Sequence, residues 1–266
     1  MEFEIQSQRE IIRSAFLQRE VTVDFYLPSL KENLNGCDLL LINDGQDLTT
    51  MDFKSILNKL YEEDLLVPLL CVGIHCGVDR KNEYGTANVV NDKGQGAKAV
   101  LYTQFVKKEL LPFMRKKYKI TSFNEKSFCG FSLGGLSAMD IVWNHPKEFS
   151  KIGIFSGSFW WRSVSQDDAA FDESKHRIMH NEIKNGNYYP WLKFFFETGT
   201  LDETADRNNN GIIDSIDDTT ALIDELVKKG YDRHKDIYYL EVKDGKHDVT
   251  TWGRAFPSFL KWGWAK

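Results

Sequence analysis

Short apolar runs closed by glycine, asparagine or proline alternate along this chain with longer stretches of helical period. Residues 37–42 (Cys-Asp-Leu-Leu-Leu-Ile) and 68–74 (Pro-Leu-Leu-Cys-Val-Gly-Ile) are apolar at nearly every position. That is the pattern of strands buried on both faces of a parallel sheet. Residues 126–130, 151–155, 192–196 and 237–242 read as further strands, and residues 21–27 alternate up to Pro28, as an early antiparallel strand does. Between them, a helical pattern over about residues 98–118 sets Phe105, Leu110 and Phe113 on one side. A second helix over 133–144 is stopped by His145 and Pro146, and a third over 219–229 is closed by Gly230. Strands alternating with helices predict an α/β fold, a mostly parallel central sheet with helices on both faces. In such sheets ligands sit beyond the carboxyl ends of the strands.

Composition narrows the picture. The 266 residues read as one domain, residues 1–266, with enough apolar side chains (42%) to fill a sizeable core. A net charge of −5 argues against broad affinity for nucleic acid and offers no basic patch to a membrane; clusters such as Arg115, Lys116 and Lys117 read as helix surface. The first residues, Met-Glu-Phe-Glu-Ile, lack the basic and apolar regions of a secretory leader, and no apolar run reaches membrane-spanning length. Cys37, Cys71, Cys76 and Cys129 lie in or beside predicted strands and form no Cys-x-x-Cys pair, so they are expected to be free thiols in a reducing, cytoplasmic setting.

The most specific chemistry lies at Gly130-Phe-Ser-Leu-Gly-Gly135. A strand that ends at a Gly-x-Ser-x-Gly turn and continues as a helix is a nucleophile elbow, with Ser132 held at the tip. A serine hydroxyl needs a base to take its proton and an acid to orient that base. His247 follows the last strand in a Gly-containing loop, where a base belongs; His176 and His180 lie in a polar insertion, and His234 precedes the strand. After the strand at 192–196, Glu197, Asp202 and Glu203 are candidate acids. Asp202 is favoured because Gly199 and Thr200 make a turn that aims it back over the sheet, while Asp248 reads as a cap of the following helix. The oxyanion of an acyl-transfer intermediate needs preorganised N–H donors. The Leu133 amide is one candidate, and the Gln46 or Asp47 amide, in the loop after the first core strand, is the other.

Together these anchors resemble the putative-esterase branch of the α/β-hydrolases, which includes enterochelin esterases, esterase D and feruloyl-esterase modules. The likeness rests on the elbow, on Leu41-Ile-Asn-Asp-Gly-Gln46, on Ser156-Gly-Ser-Phe-Trp-Trp161, on Gly199-Thr-Leu-Asp202, and on Gly245-Lys-His-Asp248 with Trp252. It implies the α/β-hydrolase fold and a serine esterase acting on small-molecule esters (siderophore, feruloyl or acetyl sugar, or short-chain) without an organic cofactor. It supports Asp202 over Glu203 and points to Trp160 and Trp161 as a substrate pocket. Arg80 and Glu83 resemble a family Arg-x-x-Glu-Tyr element, read as a structural ion pair. A thioesterase, an acyltransferase and a non-catalytic binding protein on the same scaffold are the alternatives. The chain is short for the extra N-terminal domain of the larger enterochelin esterases.

One motif stands apart. Asp206, Asn208, Asn210, Ile212 through its carbonyl, Asp214 and Asp217 occupy the ligand positions of an EF-hand-like loop, with Gly211 at the sharp turn. The spacing predicts a structural calcium ion, weakened by an aspartate where a bidentate glutamate is usual.

Overall fold

The computed structural model describes residues 4–28 and 34–266. Residues 1–3, part of the stretch read for a leader, lie outside the described residues. Eight strands form one sheet: β1 (Gln6–Ser14), β2 (Arg19–Leu27), β3 (Asp38–Asn43), β4 (Leu69–Ile74), β5 (Lys126–Phe131), β6 (Lys151–Phe155), β7 (Lys193–Leu201) and β8 (Ile237–Lys246). Their order is β1-β2-β4-β3-β5-β6-β7-β8; β2 runs antiparallel to both of its neighbours, and all pairs from β4 to β8 are parallel.

Alternation along each strand divides the core in two. Leu39 and Leu41 of β3, Phe128 of β5 and Phe194 and Phe196 of β7 face Tyr102, Phe105, Leu136, Met139, Leu222 and Leu226 on one side of the sheet. Leu40, Ile42, Cys129, Phe131 and Phe195 face Phe53, Leu57, Phe256 and Phe259 on the other. Both faces of the central strands are therefore covered, which is why their sequences run apolar without a polar break. The elbow helix is Leu133–Asn144, as expected, and the terminal helix is Val249–Trp264.

The boundaries depart from expectation in three places. The stretch predicted as one helix over 98–118 runs Ala99–Phe105, widens through a π-helical turn at Val106–Leu110 and resumes at Leu111–Tyr118. The helix expected from Thr219 starts at Asp214. Strand β7 runs through Gly199 and Thr200 to Leu201, with a register shift against β8 between Gly199 and Leu201 where a turn was expected.

The four cysteines are free: Cys37, Cys71 and Cys129 are buried and Cys76 is partly so. Among the described residues no helix is long and apolar enough to cross a membrane.

Candidate active site

The site is assembled where the carboxyl ends of β3, β5, β6, β7 and β8 meet. Ser132 joins β5 to the elbow helix with φ 54 and ψ −123, a conformation side chains rarely adopt. Its amide donates to the Phe155 carbonyl at 2.8 Å. The turn closes tightly because Gly130 lies against the backbone of Gly134: a Cβ on Gly130 would stand 2.4 Å from the Gly134 oxygen. Asn43, at the end of β3, donates from Nδ2 to that same oxygen at 2.8 Å and accepts from the Tyr102 hydroxyl. Leu133 opens the helix, so its N–H has no intrahelical acceptor.

The loop after β3 faces this turn. The Gly45 amide is held by the Ile74 carbonyl at 2.9 Å, and the Gln46 side chain is anchored by the Cys76 amide at 3.1 Å. The Asp47 amide donates to the Asp44 carbonyl at 3.0 Å. That bond takes Asp47 out of the two oxyanion candidates and leaves Gln46, whose amide is in no such bond.

Asp44 is 1% exposed and takes two parallel hydrogen bonds from Arg80, from Nε and Nη2, each 2.7 Å. Glu83 pairs with Arg19 at 2.6 Å. The expected Arg80–Glu83 pairing is thus replaced by two separate pairs, Arg80 with Asp44 just after β3 and Glu83 with Arg19 at the start of β2. Arg80 also reaches the Phe131 carbonyl at 3.4 Å, so its cation lies at the elbow itself.

His247 and Asp202 come to the same rim from the ends of β8 and β7. His247 packs edge-on against Trp252, ring centroids 5.3 Å apart. Burial pulls its imidazole below the ordinary value; Asp202 opposes this and Arg80 adds to it. A neutral imidazole is the form that can accept a proton. Burial pushes the Asp202 carboxyl up, and the Gly199 amide, the Ser156 hydroxyl and the His247 charge pull it back down. These two residues therefore lie within electrostatic reach of each other, yet no hydrogen bond joins them. Both Asp202 oxygens are closed off and accept none, and Ser132 Oγ meets Ser158 Oγ at 3.4 Å. Catalytic hydrogen bonds are often long without substrate and tighten on binding. Asp248 caps the terminal helix, accepting from the Thr251 amide at 2.8 Å, as expected. His180 and His176 are engaged elsewhere: His180 is buried with Nε2 on the Asp218 carbonyl at 2.9 Å, and His176 Nδ1 accepts from the Asp172 amide.

Sequence reasoning named the segments of Ser156, Ser158 and Trp252 without giving these residues a role. Ser158 donates its amide to the Ser132 carbonyl at 3.1 Å. Trp252 Nε1 donates to Ser156 Oγ at 3.0 Å. Ser156-Gly-Ser158 directly after a strand was the available signal. Trp161 is a correction: it is 1% exposed, with its ring pressed on Gly85 and Gly96, so it is core and not pocket lining. Trp160 is 45% exposed and borders a hollow of about 330 Å³ with Lys93, Arg162 and Ser165.

The calcium reading is not supported. Asp214 is turned onto Arg207, accepting from its amide at 2.9 Å and pairing with its guanidinium at 3.1 Å. Asp217 accepts from Asn208 Nδ2 at 2.7 Å, and Asp206 from the Asn210 and Gly211 amides at 3.1 and 2.9 Å. Among the described residues no group of three or more His, Cys, Asp or Glu is placed to hold a metal. The remaining expected ligands, Asn210 and Ile212, bond each other, the Ile212 amide donating to Asn210 Oδ1 at 2.8 Å.

Known proteins share this architecture. The Bacillus subtilis (strain 168) protein YbbA is 22% identical over 244 residues, 90% of each chain. The enterobactin esterase FES of Shigella flexneri, solved with enterobactin, superposes with a TM-score of 0.74 at 19% identity, over 97% of this chain and 59% of that one. This chain therefore spans about three fifths of that enzyme's length. A ferulic acid esterase matches with a TM-score of 0.71 at 16% identity over 98% of both chains. The family model described as "Putative esterase" matches residues 14–262, and with it the chain belongs to that family of ester hydrolases on the α/β-hydrolase fold.

Proposed function

We propose that this protein is a serine esterase working through an acyl-enzyme. The observation that carries the reading is Ser132 held at positive φ on the tip of the turn between β5 and the elbow helix. Ser132 Oγ attacks the ester carbonyl while His247 takes its proton and later delivers it to the leaving alcohol. Asp202 holds His247 in the productive tautomer. The Leu133 and Gln46 amides bind the oxyanion. Water, activated by the same imidazole, then releases the acid. Closing this relay requires Ser132 Oγ to exchange Ser158 for His247 when substrate binds.

No organic cofactor enters the scheme. Substrates are small-molecule esters: a siderophore, a feruloyl or acetyl sugar, or a simpler ester, with Trp160 at the rim offering an aromatic surface. The similar structures, an enterobactin esterase and a ferulic acid esterase, support aromatic acyl groups. A cytoplasmic setting suits four free thiols.

The test is a panel of chromogenic aryl esters and natural esters with wild type and Ser132→Ala. Loss of a nucleophile should lower kcat on the order of 10⁴-fold or more. Hydrolysis that survives the substitution would overturn the assignment.

A further inference from the structure

Beside the Asp202 carboxyl stands a second one that the scheme above does not use. Glu197 lies at the middle of β7 and is 0% exposed. Its Oε2 is 3.5 Å from Ser156 Oγ, the limit of a hydrogen bond, and Oε1 has no donor. Positions 197 and 199 lie on the same face of the strand. Gly199 has no side chain there, and the Asp202 carboxyl folds into the space: its Oδ1 is 2.8 Å from where a Cβ on Gly199 would stand. The two carboxyls are thus neighbours over one strand face; three of their four oxygens have no well-formed hydrogen bond, the Gly199 amide and the Ser156 hydroxyl being the donors that face Asp202.

Ser156 does not satisfy this demand. Its backbone is fixed at φ 47, with its amide on the Glu197 carbonyl at 2.8 Å. Its hydroxyl, already accepting from Trp252 Nε1, has one proton to give. Two buried carboxylates side by side cannot both ionise, whereas a carboxylic acid beside a carboxylate supplies the missing donor.

We propose that Glu197 is a positioning residue whose carboxyl O–H donates to the Asp202 carboxylate and holds it in place for His247. This rests on the serine-esterase reading. The groups that face Glu197 agree with a resident proton. Burial pushes its carboxyl up to about 8 and Asp202 adds to this, while Ser156 and Arg254 of the terminal helix pull the other way. His247 and Asp248, from the loop after β8, act on Asp202 with opposite signs. At pH 7 Glu197 is then mostly neutral. Above pH 8 it loses the proton, and Asp202 gains a like charge where it had a donor.

The experiment is a pH–kcat profile of aryl-ester hydrolysis for the full chain with Glu197→Gln and Glu197→Leu, and with Ser132→Ala alongside. Wild type should decline on the alkaline side with a midpoint near pH 8. Glu197→Gln keeps an N–H donor that does not titrate. It should hold kcat within about threefold at pH 7 and lose that decline, while Glu197→Leu should lose about tenfold or more in kcat with KM little changed. An alkaline limb in Glu197→Gln that coincides with wild type would overturn the proposal, and so would a Glu197→Leu chain as fast as wild type. If the leucine chain does not fold, by circular dichroism, the glutamine profile decides alone. Activity persisting in Ser132→Ala would remove the serine reading and this proposal together. An inactive Ser132→Ala with an unaltered Glu197→Gln profile would remove only the role of Glu197.

Discussion

Arg80→Ala isolates the ion pair that braces the elbow. Arg80 and Asp44 are joined by two hydrogen bonds of 2.7 Å, and Asp44 is buried. Without the guanidinium, the side-chain donor left to Asp44 is Gln46 Nε2 at 3.3 Å. Removing one partner of a buried pair costs ~3–5 kcal/mol because the other charge stays buried. The Arg80 side chain is 30% exposed, so water can enter the gap, and a figure of ~2–3 kcal/mol is appropriate. For a chain of this size, each kcal/mol moves Tm by ~2–4 °C, so a fall of roughly 5–10 °C is expected in a calorimetric scan at pH 7. Arg80→Lys keeps the charge and loses the fork, and should fall between. Kinetics give a second reading. Asp44 leads directly into Gly45 and the candidate Gln46 donor, so kcat should drop more than KM rises. Arg80 also helps to hold the His247 imidazole low, so its removal should shift the acidic limb of the pH–rate profile to higher pH. A Tm within about 2 °C of wild type, together with an unmoved acidic limb, would refute this account.

Gly130→Ala drives a methyl into the Gly134 backbone; it should cost ~1–3 kcal/mol and abolish measurable esterase activity, read by thermal melt and aryl-ester assay. Chelation with EDTA should move Tm by less than about 1 °C, since Arg207 and the loop's own N–H groups already satisfy Asp214, Asp217 and Asp206; a larger fall, reversed by calcium, would restore the metal reading. The Glu197 carboxyl is raised to about 8 from an ordinary 4.5. It contributes stability that is complete below pH 4.5 and is lost as pH climbs to 8. In urea melts at pH 5 and pH 8, Glu197→Gln should therefore gain on wild type as pH rises; a constant difference would contradict the assignment.

The sheet was readable because its central strands are apolar at consecutive positions, and the elbow because its glycines are needed by contact with one another. Strand β1 was not, since Gln6, Gln8, Arg9 and Glu10 on an edge carry no burial signal. The helix Phe53–Glu62 was missed as well; Phe53, Leu57 and Leu60 acquire their meaning only against Phe256 and its neighbours, two hundred residues away. In the site, residue types and their order pointed to Ser132, Asp202 and His247. The bracing around them did not follow from order. Asp44 pairs with Arg80, thirty-six residues on, because of where β3 ends, and Trp161 looks like pocket lining until Gly85 and Gly96 are seen to take its ring. Glu197 reads from sequence only as one of three candidate acids; its inward carboxyl becomes notable once Asp202 folds over Gly199.

The backbone at Ser132 has one more consequence. A non-glycine residue at φ 54 and ψ −123 stores on the order of 1–3 kcal/mol, and glycine does not. An uncomfortable torsion is thus tied to the proposed nucleophile. A Ser132→Gly protein should outlast wild type on heating, and screening for heat resistance alone would favour losing the proposed nucleophile.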